Sequence, residues 1–345
     1  MSPRDVAVIG RSRESQTTME TGTIGTFDAY PRRGGRKVAI IGAGNVGATT
    51  GYSLILSGLC SEIVLIDIDV ARAEGEAMDL AQAVPFGMPV RVRAGTYSDI
   101  AGSHVTVVTA GANQRPGETR TDLLEKNWQV FKDVIPKVAE ANPEGIIVIA
   151  TNPVDVLTFG AWGLTNLPRG RVIGSGTILD TARFRSHLAK HYQVDARSVH
   201  AYIIGEHGES EVPVWSRASI SSMSLREFGL AQGRGHDEEA LRGIYEATRS
   251  AATEIINRKG ATFYAVAAGI MRLLEAILRD QETVLPVSCV LHGQYGLHGV
   301  ALSLPAVIDN AGVREHLAVP LDPSEVDALH ASAAVIRTSI ERILV

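Results

Sequence analysis

At 345 residues, of which 45% are hydrophobic and 21% charged, the chain has the length and composition of a globular protein with one large or two smaller domains. Its net charge of −5 predicts no binding of nucleic acid or of an anionic membrane, and no apolar run approaches the roughly 20 residues of a membrane span. Only two cysteines occur, Cys60 and Cys289, which argues against a disulfide framework and a zinc site and favours a reducing, cytoplasmic compartment.

The first 36 residues differ in composition from the rest of the chain. They are rich in Ser, Thr, Gly and Arg, and no apolar core follows the basic start, which argues against a secretory signal. An Arg-rich and Ser-rich composition could suggest an organellar transit peptide, but the acidic residues Asp5, Glu14, Glu20 and Asp28 weaken that interpretation. We therefore predict that residues 1–36 form a disordered N-terminal extension.

A strand–helix–strand unit is predicted between residues 37 and 69. The β-branched apolar run at 38–41 predicts a buried parallel strand, and the run at 63–66 predicts a second one. Between them, residues 45–57 have a helical pattern that ends before Gly58, a residue suited to a left-handed helix end. This order is typical of the first unit of a dinucleotide-binding sheet.

The turn after the first predicted strand carries Gly42, Gly44 and Gly47 in G-x-G-x-x-G spacing. Glycines at this spacing permit a tight turn, close approach of a pyrophosphate and close helix–strand packing, while the helix N-terminus faces the anion. Asp67, at the end of the second strand, is placed to accept hydrogen bonds from the adenosine ribose, and its charge opposes a 2′-phosphate. The unit therefore predicts an NAD site, against the alternative of a glycine-rich turn that binds nothing.

The pattern that follows alternates helices with strands. Residues 71–83 read as a helix in which Arg72, one turn past Asp67, either reaches the adenosine region or lies on a solvated face. A further helical pattern separates the last two of three strand-like runs. These runs lie at 90–93, 105–110 and 146–150. The alternation predicts a parallel sheet with right-handed crossovers, whose ligands bind beyond the carboxyl ends of the strands.

Two polar segments follow predicted strands at that edge of the sheet. In the segment 111–120, Gln114 and Arg120 would face one ligand if the loop closed, although composition alone favours a solvated surface loop. In the Thr-Asn-Pro segment after the next strand, Pro153 suits a first helical position. Asn152 is then either only the cap of that helix or a cap whose amide also meets a ligand. Both segments are candidates for the ligand site.

The second half of the chain contains a glycine-flanked histidine and a paired acid and base. Asp180 and Arg183 are three apart on a predicted helix and hence on one face, but a surface ion pair of this kind proves little. His207 lies within Gly-Glu-His-Gly, directly after the apolar run 201–204, which predicts a strand. Glycine on both sides favours a histidine presented at a loop, and therefore a functional role.

A series of motifs, taken in order, resembles the bacterial NAD-dependent L-lactate dehydrogenases of the lactate/malate dehydrogenase superfamily. The motifs are GAGNVG, LIDID, TAGANQRPGETR, ATNPVD, GSGTILDTARFR, IIGEHGES and KGATFY. The resemblance covers about residue 37 to the C-terminus. It implies an α/β fold with an N-terminal Rossmann-type doubly wound parallel sheet at 37–174 and a C-terminal α+β catalytic domain at 175–345. One departure is Glu209, where the family usually has Asp or Asn, and it affects local loop geometry rather than the catalytic assignment.

The resemblance also implies roles for individual residues in the reversible reduction of pyruvate to (S)-lactate by NADH. His207 would donate the proton to the carbonyl, and Asp180 would hold its other ring nitrogen and raise its pKa. Arg183 would bind the substrate carboxylate through two hydrogen bonds, and Arg120 would polarise the carbonyl. The other implied substrate contacts are Gln114, Asn152, Asp155 and Thr262. The implied NAD contacts are Gly42, Gly44, Val46, Gly47, Asp67, Arg72, Tyr97, Gly111, Ala112, Ala150, Thr151, Asn152 and Ser175.

Two rival interpretations stay open on the sequence. Malate dehydrogenases carry Arg at the position of Gln114 to meet a second carboxylate, and a hydrogen bond to a charged group is worth roughly 1.5–3 kcal/mol. The neutral Gln114 therefore favours lactate, although a bulkier 2-oxo acid would fit the same motifs. The other rival is a non-catalytic NAD-binding protein, which need not retain all of the residues implied in catalysis.

One arginine on the predicted catalytic helix suggests regulation. Arg185 lies two residues past Arg183, so it points to a different helix face, where a lone basic residue is usually a solvated charge. In bacterial lactate dehydrogenases, however, the positions of Arg185 and His200 bind fructose 1,6-bisphosphate at a subunit interface. The resemblance therefore implies a homotetramer activated by this effector, with small molecules rather than nucleic acid or membrane as its other partners.

Overall fold

Parallel strands form the centre of the computed structural model, which describes residues 35–112, 119–235 and 237–344. Their bounds are β1 (Lys37–Ile41), β2 (Glu62–Ile66), β3 (Arg91–Ala94), β4 (Val105–Val108), β5 (Ile146–Ile149) and β6 (Val172–Gly174). Their hydrogen-bonded order is β3-β2-β1-β4-β5-β6, and each neighbouring pair is parallel. This order is that of a doubly wound dinucleotide-binding sheet and confirms the predicted fold class. The predicted extension at 1–36 lies almost entirely outside the described residues.

Helices connect these strands and cover both faces of the sheet. Their bounds are α1 (Asn45–Ser57), α2 (Val70–Ala83), α3 (Arg120–Ala141), α4 (Val154–Gly163) and α5 (Ile178–Tyr192). Helix α1 has the predicted bounds and ends before Gly58, which adopts φ +63° and donates its N–H to the Leu54 carbonyl at 3.2 Å. Glycine suits this position because a left-handed backbone costs it nothing.

The second half of the chain extends the same sheet. Its strands are β7 (Val199–His200), β8 (Ile203–Ile204), β9 (Val212–Pro213), β10 (Ser219–Ile220), β11 (Met223–Ser224), β12 (Thr283–His292), β13 (His298–Asp309) and β14 (Gly312–His316). Its remaining helices are α6 (Leu225–Ala231), α7 (Glu238–Lys259), α8 (Tyr264–Leu278) and α9 (Pro323–Leu344). Strand β12 pairs antiparallel with β6, opposite Gly174, and β13 and β14 continue outward. Over the described ranges the sheet therefore has nine strands and crosses the predicted domain boundary at 174–175.

Side chains of the central strands alternate between two apolar clusters. Ala39 and Ile41 pack on one face with residues of α3, α4 and α9, whereas Val38 and Ile40 pack on the other with residues of α1, α2 and α8. All four are at most 2% exposed, which explains why the strand reads as a continuous apolar run. None of the described helices is long and apolar enough to cross a membrane.

Two local predictions are wrong. The apolar run 201–204 does not form one strand, because the Ala201 carbonyl accepts from Arg185 Nε at 2.8 Å and so leaves a break between β7 and β8. Asn152 does not cap α4. The Pro153 carbonyl accepts the first helical N–H bond, from Leu157 at 3.0 Å, and Pro153 itself therefore occupies the N-cap position.

Candidate active site

The glycine-rich turn after β1 packs tightly against its surroundings at two of its three glycines. Gly42 adopts φ +102°, and a Cβ there would lie 2.6 Å from the Ala110 amide nitrogen. A Cβ on Gly47 would lie 1.9 Å from the Gly42 carbonyl oxygen, a distance that only glycine allows. At Gly44, by contrast, the nearest atom, on Arg72, is 4.0 Å from a built Cβ. Gly44 is also the N-cap of α1 and offers no side chain to its first-turn N–H groups, so these groups are available to an anion such as pyrophosphate.

Gly47→Ala is expected to lower the melting temperature and weaken NADH binding at least tenfold, because overpacking of roughly 1–3 kcal/mol would force the turn away from α1. Gly75→Ala is the matched control. No atom lies within 4 Å of a Cβ built on Gly75, in the interior of α2, so alanine there should be neutral or stabilising by up to about 1 kcal/mol. Fluorescence titration with NADH and thermal melts measure both effects. Unchanged affinity in the Gly47 variant would contradict this role of the turn.

Asp67, directly after β2, holds the glycine turn in place. Its Oδ2 accepts from the Ala43 amide at 2.6 Å, and its Oδ1 accepts from the Asp69 amide at 3.0 Å. Arg72 is exposed to solvent, and its Nε donates to the Ala43 carbonyl at 3.0 Å, so this arginine contacts the turn from a solvated helix face. The Asp67 carboxylate therefore places a negative charge beside the turn, which disfavours a 2′-phosphate there.

The other residues predicted to contact NAD lie near the carboxyl ends of the parallel strands or beside the turn. Gly111 and Ala112 follow β4, Ala150 and Thr151 follow β5, Ser175 follows β6, and Val46 is in the first turn of α1. Tyr97 is half-buried, and burial, together with the nearby charges of Asp133 and Asp67, raises its pKa. Ligands of doubly wound sheets bind at this edge.

Asn127, on α3, joins the ends of two strands, and no sequence motif predicted that role. It is 1% exposed; its Oδ1 accepts from the Ala112 amide at 2.7 Å, and its Nδ2 donates to the Asn152 carbonyl at 2.7 Å. In the sequence, the only sign of this role is that a polar residue lies on the helix face that also carries the buried Leu124 and Trp128. Asn127 thus ties the segment after β4 to the segment after β5.

His207, Asp180 and Arg183 form a connected group. His207 Nδ1 lies 2.5 Å from Asp180 Oδ2, and Arg183 Nη1 donates to Asp180 Oδ1 at 3.1 Å. The predicted one-face pair is present, but it is buried, with side-chain exposures of 12% for Arg183 and 5% for Asp180. The His207 side chain is 24% exposed, and no described hydrogen bond uses its Nε2. That nitrogen is therefore available to exchange a proton with a bound molecule.

The charges around His207 stabilise its protonated form. Burial alone would lower the pKa of His207, but the charge and hydrogen bond of Asp180, helped by Asp155 and Glu211, raise it to about 9. Burial would raise the pKa of Asp180, but His207 and Arg183 outweigh burial and lower it. His207 is therefore an imidazolium at neutral pH, which suits a proton donor.

Arg183 retains one buried nitrogen without a partner. Its Nη1 binds Asp180, whereas its Nη2 is buried and has no hydrogen-bond partner among the described residues. An unpaired buried donor costs about 1–3 kcal/mol, and more when it is charged, so the arrangement indicates an anionic ligand. A carboxylate fits because guanidinium can bind both of its oxygens.

Two further buried carboxyl groups lie close to His207. Asp155, 2% exposed, accepts the backbone N–H of His207 at 2.7 Å, and burial raises its pKa to about 6. The structure thus places this predicted substrate residue against the histidine backbone. Glu211, 6% exposed, has an unpartnered Oε1, and burial together with the Asp180 charge raises its pKa to about 8. Glu211 has no predicted role, and its position four residues after His207 is its only sequence signal.

The other predicted substrate residues are not joined to this group by described contacts. Asn152 follows β5 with an exposed side chain, and Thr262 is half-buried between α7 and α8. No described hydrogen bond joins either side chain to His207. Arg120 is the first residue of α3, but its side chain, like the whole of Gln114, lies outside the described residues.

Arg185 contacts a different part of the chain from Arg183. Its Nε donates to the Ala201 carbonyl at 2.8 Å, and its guanidinium carbon lies 5.0 Å from the Tyr202 ring centroid. Burial lowers its pKa, and no ion pair of the described residues includes it. His200, next to Ala201 and exposed, is the other predicted effector residue, so both lie in one region.

The chain combines a dinucleotide cradle at the carboxyl edge of a parallel sheet with an imidazolium and a guanidinium whose Nη2 has no described partner. These are the parts that an NAD-dependent oxidoreductase needs, and the chain is of that class. Comparison with known proteins gives the family. Residues 36–174 match the NAD-binding domain of lactate/malate dehydrogenases, and residues 177–344 match the alpha/beta C-terminal domain of the same enzymes. The chain belongs to the lactate/malate dehydrogenase family, and NAD is its cofactor, as predicted.

Individual relatives cover almost the same part of the chain. The L-lactate dehydrogenase of Acetivibrio thermocellus is 47% identical over 306 residues, which are 89% of this chain and 96% of the relative. That of Moorella thermoacetica is 48% identical over 313 residues, 90% of this chain and 98% of the relative. The crystal structure of the minor L-lactate dehydrogenase from Enterococcus mundtii has a TM-score of 0.86 and 39% identity, covering 89% of this chain and 98% of that one. The predicted resemblance is confirmed.

Proposed function

We propose that the chain is an L-lactate dehydrogenase, which interconverts pyruvate and (S)-lactate. The observation that carries the proposal is the unpartnered, buried Nη2 of Arg183 beside the Asp180–His207 pair. This combination can bind the carboxylate of a 2-oxo acid next to a proton donor. The relatives from A. thermocellus and M. thermoacetica are named L-lactate dehydrogenase, which supports the same activity.

The residues of the chain itself fit NAD. The open cradle at Gly44 suits the pyrophosphate, and Asp67 suits the adenosine ribose. We assign residues 37–174 as the NAD-binding domain and residues 175–345 as the catalytic domain, with Gln114, Arg120 and Asn152 of the first domain also contributing to the substrate pocket. When bound, the nicotinamide would supply the hydride chemistry, in which C2 of pyruvate gains a hydride and C2 of lactate gives one back.

Proton transfer and substrate orientation fall to side chains. Protonated His207 gives its proton to the carbonyl oxygen of pyruvate as negative charge develops there, and neutral His207 takes it back from lactate. Asp180 stabilises the imidazolium, and Arg183 binds the carboxylate through two hydrogen bonds. Arg120 polarises the carbonyl. Gln114, Asn152 and Thr262 line the pocket, and Asp155 acts through the backbone of His207.

Substrate choice tests the proposal. Because Gln114 is neutral, the unmutated protein is expected to reduce pyruvate with at least a tenfold higher kcat/KM than oxaloacetate, whose second carboxylate would lack a charged partner. Gln114→Arg supplies that partner and should move the preference toward oxaloacetate. The measurement is NADH oxidation, followed spectrophotometrically, with each acid in turn.

Gln114→Met is the control. It places a long side chain at this position without the positive charge that arginine adds, and it should not improve oxaloacetate reduction. Equal rates with both acids, or faster reduction of oxaloacetate by the unmutated protein, would indicate a malate dehydrogenase instead. NADH binding without oxidation by either acid would indicate a non-catalytic NAD-binding protein.

We also propose a homotetramer that fructose 1,6-bisphosphate activates through Arg185 and His200. A guanidinium without a described carboxylate partner, close to an exposed histidine, suits a phosphate group. Exposed apolar side chains on and after α1 and α2 support self-association, because large apolar residues rarely face water in groups. They are Tyr52, Leu56, Met78, Phe86 and Met88, each at least 47% exposed.

Regulation is tested at Arg185. Fructose 1,6-bisphosphate is expected to lower the pyruvate KM about fivefold or more, the usual range of allosteric coupling. Arg185→Gln should abolish this response while leaving activity without effector similar. Lys190→Gln, which removes an exposed cation from the same helix, should respond as the unmutated enzyme does. A response that survives in Arg185→Gln would place the effector elsewhere.

A further inference from the structure

Three consecutive backbone N–H groups, ending at His207, are held by three distant parts of the chain. Gly205 N–H donates to the Ser303 carbonyl at 2.9 Å, Glu206 N–H to Ser332 Oγ at 2.8 Å, and His207 N–H to Asp155 Oδ2 at 2.7 Å. The acceptors belong to β13, α9 and α4, respectively. The peptide that carries the histidine is thus fixed from three directions.

Ser332 is the least expected of these acceptors, because it lies on the last helix of the chain. It is fully buried, and its hydroxyl lies 3.2 Å from that of Ser210, which donates to Glu206 Oε2 at 2.5 Å. A Cβ built on Gly205 would lie 2.8 Å from Ser332 Oγ, so α9 packs directly against the loop. The hydroxyl therefore contacts both ends of the segment 206–210.

Within the loop itself, Glu206 Oε2 also accepts from the Ser210 amide at 3.1 Å. Gly205 and Gly208 flank the Glu206–His207 pair and contribute no side-chain packing. The partner of the ring, Asp180, is fixed on α5, so any shift of the loop changes the contact between His207 Nδ1 and Asp180 Oδ2 directly. A displacement of about 1 Å in a reacting group can cost a hundredfold in rate.

We propose that Ser332 is a positioning residue, which holds His207 in register with Asp180 and with the substrate. It acts through the N–H of Glu206 and touches no reacting atom. The inference rests on the proposed function, in which His207 exchanges the proton. It extends the active site to α9, on which no sequence motif lies.

Ser332→Ala removes the acceptor, and we expect kcat for pyruvate reduction to fall about tenfold or more, with an unchanged Kd for NADH. The pH above which kcat/KM falls should also move downward, because a looser contact with Asp180 stabilises the imidazolium less. The other charges near the histidine, on Asp155, Glu211 and Arg183, are the same in the variant. Ser332→Cys replaces the hydroxyl with a slightly larger and weaker acceptor and should give an intermediate loss. This variant provides the test if the alanine variant does not fold.

Ile340→Val is the matched control on α9. Ile340 is 4% exposed and lies in the core. The substitution removes one methyl group without changing a contact of the loop, so kcat and the pH profile should stay unchanged. His207→Gln completes the panel and should be inactive. If His207→Gln is inactive while Ser332→Ala keeps the rate and pH profile of the unmutated enzyme, the positioning role is overturned and the proposed function stands. An equal loss of rate in Ile340→Val also overturns it. An active His207→Gln overturns both.

Discussion

Asp180→Asn is expected to slow pyruvate reduction at pH 7 about a hundredfold, the scale of general acid catalysis. The charge of Asp180 and its hydrogen bond to Nδ1 raise the pKa of His207 to about 9 against the opposing effect of burial. An amide keeps the shape but removes the charge. Burial is then opposed by Asp155 and Glu211 but no longer by Asp180, so the pKa of His207 falls and less of the imidazole carries a proton at neutral pH.

The pH profile distinguishes this cause from simple misfolding. In the unmutated enzyme, kcat/KM for pyruvate should fall as the pH rises through about 9, where His207 loses its proton in the enzyme without substrate. In Asp180→Asn this fall should begin at lower pH. The free energy of unfolding depends on pH in the same direction. The raised pKa of His207 stabilises the folded state fully below pH 6.5, and this stabilisation is lost as the pH rises through about 9. Asp195→Asn, at an exposed Asp–Arg pair, is the control. An identical profile in Asp180→Asn would refute the pairing.

Arg183→Lys is expected to lower kcat/KM for pyruvate about a hundredfold while leaving NADH affinity unchanged. Lysine retains the positive charge, so any loss of kcat/KM reports the missing pair of hydrogen bonds rather than a missing charge. The buried Nη2 has no other partner in the described chain, and an ammonium cannot bind Asp180 and both carboxylate oxygens in the same plane. Initial rates over a pyruvate series, at saturating NADH, measure the effect.

Arg197→Lys provides the comparison for Arg183→Lys. Arg197 also binds an aspartate but is 92% exposed, so the exchange should change neither kcat nor KM. If Arg183→Lys raises KM no more than this control does, the carboxylate binds elsewhere.

The first strand–helix–strand unit could be predicted from the sequence because local chemistry determines it. Gly58 ends α1 by its backbone freedom, and the G-x-G-x-x-G spacing requires close packing at Gly42 and Gly47. Asp180 and Arg183 could be placed on one face because helix periodicity alone brings them together. Each of these inferences involves residues that are near one another in the chain.

What the sequence did not reveal depends on contacts between distant residues. Arg185, on α5, binds the Ala201 carbonyl and so interrupts the predicted strand. Asn127, on α3, connects the segments that follow two strands. The burial of the Asp180–Arg183 pair could not be anticipated either, since periodicity gives the face of a helix but not what covers it. Ser332 is 126 residues from its partner Glu206, and serine in a helix carries no signal of such a contact.

The pairing of β12 with β6 has a consequence for proteolysis. A chain cut after Gly174 would leave β6 as an open edge, with unsatisfied N–H and C=O groups and the apolar Val172 and Ile173, both fully buried in the intact sheet. Such an edge is a template for adding a strand from another molecule. The nucleotide-binding half, released alone, should therefore aggregate rather than persist as a working fragment, even though its glycine turn would be intact.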